Sequence, residues 1–322
     1  MNNPVIQMGI LVFGLLAVAT LVVELLKWRK PEADFEELAL RTRSWWWMAG
    51  FFFLSLMVHS VLSLMLFGFL SFLALKEYFS LVPLRFEDHR ALLWAYIAIP
   101  LQYWWIHTDW KAMVVIFIPV YMFLFIPLRL LLKGQPKGMI TSMAQIQWGL
   151  MLFVYCISHV AFLLILVPTD LTTSMGEHIG SGKALVLYLV VLTEVNDVAQ
   201  YFWGKLLGGK PIGNVKVAPI ISPKKTLAGL AGGVLTTTTL AVGLQFLSGF
   251  SLLYSIAAGL LISVAGFIGD LVISAVKRDV GVKDSGTLIP GHGGMLDRVD
   301  SLAYTAPLFF HFVNYFFFQS PW

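Results

Sequence analysis

Residues 270–300 concentrate ten ionisable side chains: Asp270, Lys277, Arg278, Asp279, Lys283, Asp284, His292, Asp297, Arg298 and Asp300. Gly286, Gly291, Gly293 and Gly294 are interleaved with them, around Pro290 and His292. The sequence on both sides is strongly apolar. Charge at membrane depth is costly, so a cluster of it marks function by default. Carboxylates, cations and glycine-exposed backbone are together the groups that hold a metal ion and a polyphosphate.

Asp270 lies inside an apolar segment, with Ser274 and Lys277 at i+4 and i+7, so all three share one helical face. A lone carboxylate there would carry a desolvation cost. It is expected to be a metal ligand, the alternative being an ion pair with Lys277. Asp297 and Asp300 open the next apolar segment at i, i+3, where the positive end of a helix favours ionised acids. Asp297 is expected to be a second metal ligand, whereas Asp300 divides between a site role and a helix cap. Hard carboxylate oxygens of this kind suit Mg²⁺, which keeps waters and substrate phosphates as its other ligands. In Pro290-Gly291-His292-Gly293-Gly294 the glycines let a phosphate approach backbone amides, and His292 contacts phosphate or fixes the loop. Lys277, Arg278, Lys283 and Arg298 among the acids suggest a polyphosphate clamp.

A second cluster lies upstream. Asp197, Tyr201, Gly204 and Gly208 fall at i, i+4, i+7 and i+11, a polar and small stripe on one helix. Ser222-Pro223-Lys224-Lys225-Thr226 then precedes an apolar run. Ser222 and Thr226 either cap that helix or, with Lys225, bind phosphate at its N-terminus. Gly229, Gly232 and Gly233 are expected to allow close helix packing. The parts describe metal-assisted transfer at phosphorus, acting on a nucleotide and a phosphate-bearing lipid.

The elements that must position these residues are membrane helices. The chain has 322 residues, 58% hydrophobic and 12% charged, with mean hydropathy +0.80. A soluble domain carries about 25% charged residues. The fold class is all-α, a polytopic integral membrane protein of about ten transmembrane helices, with both termini on the non-cytoplasmic side. The predicted spans are 5–26, 45–59, 61–79, 91–107, 112–132, 144–167, 184–204, 227–248, 251–275 and 302–318, with an amphipathic segment 32–44 at the interface. Residues 1–180 form an N-terminal set of about six spans. Residues 181–322 form the catalytic region, with a cytoplasmic loop at 277–300. This threading puts 20 of the 22 Lys and Arg residues on the cytoplasmic side, only Lys111 and Lys183 falling outside. The single cysteine, Cys156, excludes an intrachain disulfide.

The run from Ser274 through Lys277, Arg278, Lys283, Asp284, Gly286, Pro290, His292, Gly293, Gly294, Asp297 and Arg298 to Asp300 resembles the signature of phosphatidate cytidylyltransferases, also called CDP-diacylglycerol synthases. Asp197, Tyr201, Gly204, Lys205 and Gly208, and then Ser222, Lys225 and Thr226, resemble further elements of that family in order. The resemblance covers about 190–318. It implies transfer of the cytidylyl group of CTP to phosphatidic acid, with Mg²⁺ and a second, monovalent cation such as K⁺. It further implies catalytic roles for Asp270, Asp297, Lys277, Arg278, Lys283 and Asp284, and substrate contacts from Asp197, Tyr201, Ser222, Lys225, Thr226, His292, Gly293, Gly294, Arg298 and Asp300. Asp270, Asp297 and Asp197 would be the metal ligands. The setting would be the bilayer, a bacterial inner membrane with the site facing the cytoplasm. A homodimer is implied and no nucleic-acid partner. Gln200 and Lys224 depart from the pattern, which leaves room for another acceptor lipid. The rival readings are a CTP-dependent polyprenol or dolichol kinase, a CDP-archaeol synthase and, as a non-enzyme, a lipid transporter.

Overall fold

The computed structural model describes residues 3–32, 34–132, 136–167, 171–172, 178–208, 213 and 215–318. Ten helices carry the described chain: α1 Pro4–Arg29, α2 Glu36–Val58, α3 Ser60–Leu81, α4 His89–His107, α5 Lys111–Leu131, α6 Met139–Leu166, α7 Gly182–Leu207, α8 Leu227–Gly243, α9 Leu252–Asp279 and α10 Leu296–Val313. Each predicted apolar segment lies on one of them to within a few residues. Among the described residues, α1, α3, α5, α6, α7 and α9 are long and apolar enough to cross a bilayer, and α8 is shorter but apolar. The other three dilute their apolar character with charge: Glu36, Glu37, Arg41 and Arg43 in α2, His89 and Arg90 in α4, and Asp297, Arg298 and Asp300 in α10. The chain is an all-α membrane protein.

Two local expectations are revised. The interfacial segment and the second predicted span are one helix, α2, because nothing between Glu36 and Val58 breaks the hydrogen-bond ladder. The break comes at His59, which is extended (φ −159°, ψ 144°) and accepts the Val61 amide on Nδ1 at 3.1 Å, capping α3. The all-α expectation also missed two short antiparallel pairs. Leu171–Thr172 (β1) meets His178–Ile179 (β2), and Lys216–Ala218 (β3) meets Ser222–Thr226 (β4) in register Lys216↔Thr226 and Ala218↔Ser222. Lys133 and Lys210 of the predicted cytoplasmic charge set lie outside the described residues.

The core runs through α6 and α10, where Phe162 stacks on Phe310 at 4.6 Å, and through the fully buried Tyr188 of α7, whose hydroxyl donates to the Ala241 carbonyl at 3.1 Å. Helices α7 and α8 approach through glycine, as expected. A Cβ on Gly229 would meet the Gln200 carbonyl oxygen at 2.7 Å, and one on Gly232 would meet Trp203 Cγ at 2.2 Å. Backbone cannot retreat as a side chain can, so these positions set the interhelix distance. The larger residue at position 200 is accommodated in the same way, its side chain lying over Gly233.

A polar latch joins the turn before α4 to α6. Arg85 forks onto Asp88, Nε to Oδ2 at 3.0 Å and Nη2 to Oδ1 at 2.8 Å, and Ser142 donates to Oδ2 at 2.6 Å. Burial opposes ionisation of Asp88, but these donors outweigh it and hold the carboxyl below its ordinary value. A group lowered in this way stabilises the fold above its unfolded value, about 3.9, and loses that contribution as pH falls through the lower folded one. Asp88→Asn is therefore expected to lower the melting temperature in detergent by several degrees at pH 7. The gap from the parent should close as pH is taken below about 4, measured by intrinsic fluorescence.

Candidate active site

Helices α7, α8, α9 and α10 meet around Asn196 and Asp197. Asn196 is fully buried; its Nδ2 donates to the Ser263 carbonyl at 3.2 Å and its Oδ1 accepts from Thr237 at 3.2 Å, tying α7 to α9 and α8. Asp197, one residue on, accepts the Ser301 hydroxyl on both carboxylate oxygens, at 3.1 and 2.9 Å, and Ser301 also lies 3.2 Å from the Gly266 carbonyl. Close approach here again requires glycine. A Cβ on Gly269 would stand 2.6 Å from the Asp300 carbonyl oxygen. The charges of Asp300, Asp270 and Glu194 all bear on Asp197. Three predicted site acids thus share one polar centre.

Asp270 is met by Lys225 Nζ at 2.7 Å and by the Ser274 hydroxyl at 3.1 Å. Lys225 also lies over the Phe267 ring at 4.8 Å, a favourable seat for a cation against an aromatic face. Lys277 does not pair with Asp270, the alternative left open by the spacing. It reaches Asp297 Oδ1 at 2.5 Å instead, with both side chains largely buried. Asp297 Oδ2 takes the amides of Ser285 (3.1 Å) and Gly294 (3.3 Å), so this one carboxylate closes the loop onto the end of α9. Asp300 is buried, and its Oδ1 accepts the Ser301 amide at 2.7 Å.

The remaining predicted residues divide. Thr226 caps α8, accepting the Gly229 amide at 3.1 Å, while Ser222 begins β4 rather than a helix. Arg278 braces the β3–β4 hairpin, donating to the Ile221 carbonyl at 3.3 Å and to the Val282 carbonyl at 2.7 Å. Lys283 and Asp284 are exposed on the loop. Tyr201 is 69% exposed on α7. Gly291 and Gly293 have φ +74° and +81°, a region open to glycine, which bends the loop as the sequence suggested. His292 sits edge-on to Trp45 at 5.9 Å; partial burial, then the Arg298 and Arg41 charges, hold its pKa below the ordinary histidine value. Among the described residues no three His, Cys, Asp or Glu side chains form a ready-made metal cage.

Sequence reasoning missed the contribution of the N-terminal helices. Arg41 Nε donates to the Gly291 carbonyl at 3.0 Å, Ser44 donates to the Pro290 carbonyl at 2.8 Å, and Glu77 of α3 accepts the Leu296 amide at 3.0 Å. A signal existed for Glu77 and Glu194. Both are carboxylates inside predicted spans, and the rule that singled out Asp270 applies equally to them. Arg41 and Ser44 gave none, since polar residues at an interfacial helix need no partner.

A helical membrane protein with a basic, carboxylate-lined site built where its loops gather is the class that fold and site define. The chain belongs to the cytidylyltransferase family, whose model matches residues 39–316, and it is a nucleotidyltransferase. It is 44% identical over 305 residues to the uncharacterized protein YnbB of Escherichia coli (strain K12), spanning 94% of this chain and 96% of that one. It is 34% identical over 163 residues to the phosphatidate cytidylyltransferase of Rickettsia bellii (48% of this chain, 68% of the relative). It is 39% identical over 137 residues to that of Bacillus subtilis (42% and 49%).

Removing the Asp297 carboxylate releases Lys277 and two loop amides together. Asp297→Ala is expected to leave the helices assembled but to make the exposed Lys283 bond cleavable by trypsin about tenfold faster, followed by gel analysis of fragments. Unchanged cleavage at Lys283 would remove Asp297 from its loop-closing role.

Proposed function

We propose that the chain transfers the cytidylyl group of CTP to phosphatidic acid, yielding CDP-diacylglycerol and pyrophosphate at the cytoplasmic face of a bacterial inner membrane. The observation that carries this reading is the half-buried ion pair Lys225–Asp270 and the largely buried Lys277–Asp297, the latter tied to the glycine loop, in a cytidylyltransferase-family chain. Each pair offsets the charge of its own carboxylate before substrate arrives. A triphosphate competes for the two ammonium groups, and the carboxylates so freed are hard oxygen donors. That donor set fits Mg²⁺, which needs only one or two carboxylates and completes its octahedron from water and phosphate oxygens. Asp270, Asp297 and Asp197 would be the residues to hold the ion. Such an ion would supply neutralisation of phosphate charge and polarisation of the reacting phosphorus.

The chain's own residues bind and orient. Lys225, Lys277 and Arg298 face the polyphosphate charge, and the Gly293–Gly294 backbone offers a close approach to it. An oxygen of the lipid phosphate forms the new bond to the α-phosphorus of CTP. The bond to the α–β bridging oxygen breaks, and pyrophosphate leaves with the electron pair. No side-chain nucleophile is required, so catalysis is positioning and charge neutralisation. Ten crossings with both termini outside belong to the same reading, because they place the basic residues on the side that holds nucleotide and attract two anionic substrates.

Purified protein is to be given phosphatidic acid, Mg²⁺ and CTP labelled separately at the α- and γ-phosphates. The α-label is expected in a chloroform-soluble liponucleotide and the γ-label in pyrophosphate. The γ-label in lipid would make the protein a kinase, and no transfer would move the reading to another acceptor lipid. Asp270→Asn is expected to insert normally and to turn over at least about a thousandfold more slowly; full activity would end its assignment as a metal ligand.

A further inference from the structure

The N-terminal half reaches the loop through a carboxylate that nothing in the reaction chemistry requires. Glu77 stands near the end of α3, and its Oε2 accepts the Leu296 amide at 3.0 Å. Leu296 is the first residue of α10, and Asp297 is the second. The opening amides of a helix lack partners within it and carry partial positive charge, so they call for an acidic cap. The residue in the capping position of α10, Met295, has no side-chain oxygen to offer. Glu77 supplies the cap from a helix more than two hundred residues away in sequence.

Its second oxygen is placed more unusually. Oε1 is buried and has no hydrogen-bond donor among the described residues. It lies against the two ends of the glycine loop: a Cβ on Gly294 would fall 1.6 Å from it, and one on Gly286 would fall 2.4 Å from it. Neither Cβ fits while the Glu77 carboxylate stays where it is, so these two glycines make room for Glu77. Their chain neighbour Ser285, and Gly294 itself, supply the two amides that Asp297 Oδ2 accepts. One carboxylate from α3 lies against the same two ends of the loop that one from α10 bonds.

We infer that Glu77 is a positioning residue of the active site: a cap supplied from α3 that fixes the register between the 285–294 loop and the start of α10, and through it the placement of Asp297. The kinetic consequence rests on the cytidylyl-transfer reading; the consequence for the loop does not.

The test uses the full chain in nanodiscs, comparing the parent with Glu77→Gln and Glu77→Ala by hydrogen exchange and by steady-state kinetics with CTP and phosphatidic acid. Glu77→Gln keeps an oxygen for the Leu296 amide and is expected to stay within about threefold of the parent in both measurements. Glu77→Ala is expected to raise exchange across 284–296 about tenfold or more while peptides of α6 and α7 are unchanged. It should also lower kcat/KM for CTP about tenfold with the KM for phosphatidic acid unmoved. If Glu77→Ala does not assemble, Glu77→Asp, one methylene short of the amide, is expected to loosen the same peptides. Unchanged exchange at 284–296, exchange raised equally in every helix, or a Gln variant as damaged as the Ala variant would each overturn the inference. A parent that fails to use these substrates, with Glu77→Ala still loosening only the loop, would defeat the cytidylyl reading and leave the placement of Glu77 standing.

Discussion

The structure depends on keeping ionised groups partnered where water is scarce. A buried carboxylate without a partner would be driven to take up a proton or to unfold its surroundings. Here Lys225 answers Asp270, Lys277 answers Asp297, and the Ser301 hydroxyl answers Asp197. These links are also what hold the site together. Lys225 comes from the strand before α8, Lys277 from the end of α9, Asp297 from the start of α10 and Asp197 from the middle of α7. Satisfying the charges forces four segments into one place, and the four that result carry the groups a phosphate needs. Such pairs are weak sources of net stability, because desolvation offsets their attraction. Their consequence in this fold is placement: each pair fixes one segment against another.

Glycine is the second condition. At the α7–α8 contact it sets how near two helices come, and at Gly269 it lets α9 lie against the α10 backbone. In the loop it does something different. Gly291 and Gly293 supply positive φ, whereas Gly286 and Gly294 make room for Glu77. The N-terminal helices are thereby part of the site's support. The loop has Arg41 and Ser44 of α2 on its carbonyls and Glu77 of α3 at its ends, so it is held from outside the C-terminal region as well as from within it.

Much of this was legible in the chain. Apolar runs of membrane-spanning length placed the helices, because a bilayer leaves the backbone few alternatives to a helix. The glycines at 229, 232 and 233 announced a close packing, and His59 marked the break between α2 and α3. Asp270, Asp297, Lys277 and Lys225 stood out because charge flanked by apolar sequence needs a reason. Partner choice was less legible. The i, i+7 spacing offered Lys277 to Asp270, but Lys225 occupies that place and Lys277 turns to Asp297. Periodicity along one helix says which residues share a face, not which neighbouring helix supplies the other charge. The β3–β4 hairpin was illegible for a related reason, since a pairing three to five residues long rests on its partner more than on propensity.

Composition and motif spacing alone determined that this is a helical membrane protein with a charged, glycine-rich loop, since hydrophobic length and the cost of buried charge are local properties of the chain. Only the tertiary structure decided that Glu77 caps α10, that Arg41 and Ser44 brace the loop, that Thr226 serves as a helix cap and that Tyr201 faces outward. Each of these depends on where another helix stands, and that is fixed by long-range packing rather than by the residues on either side.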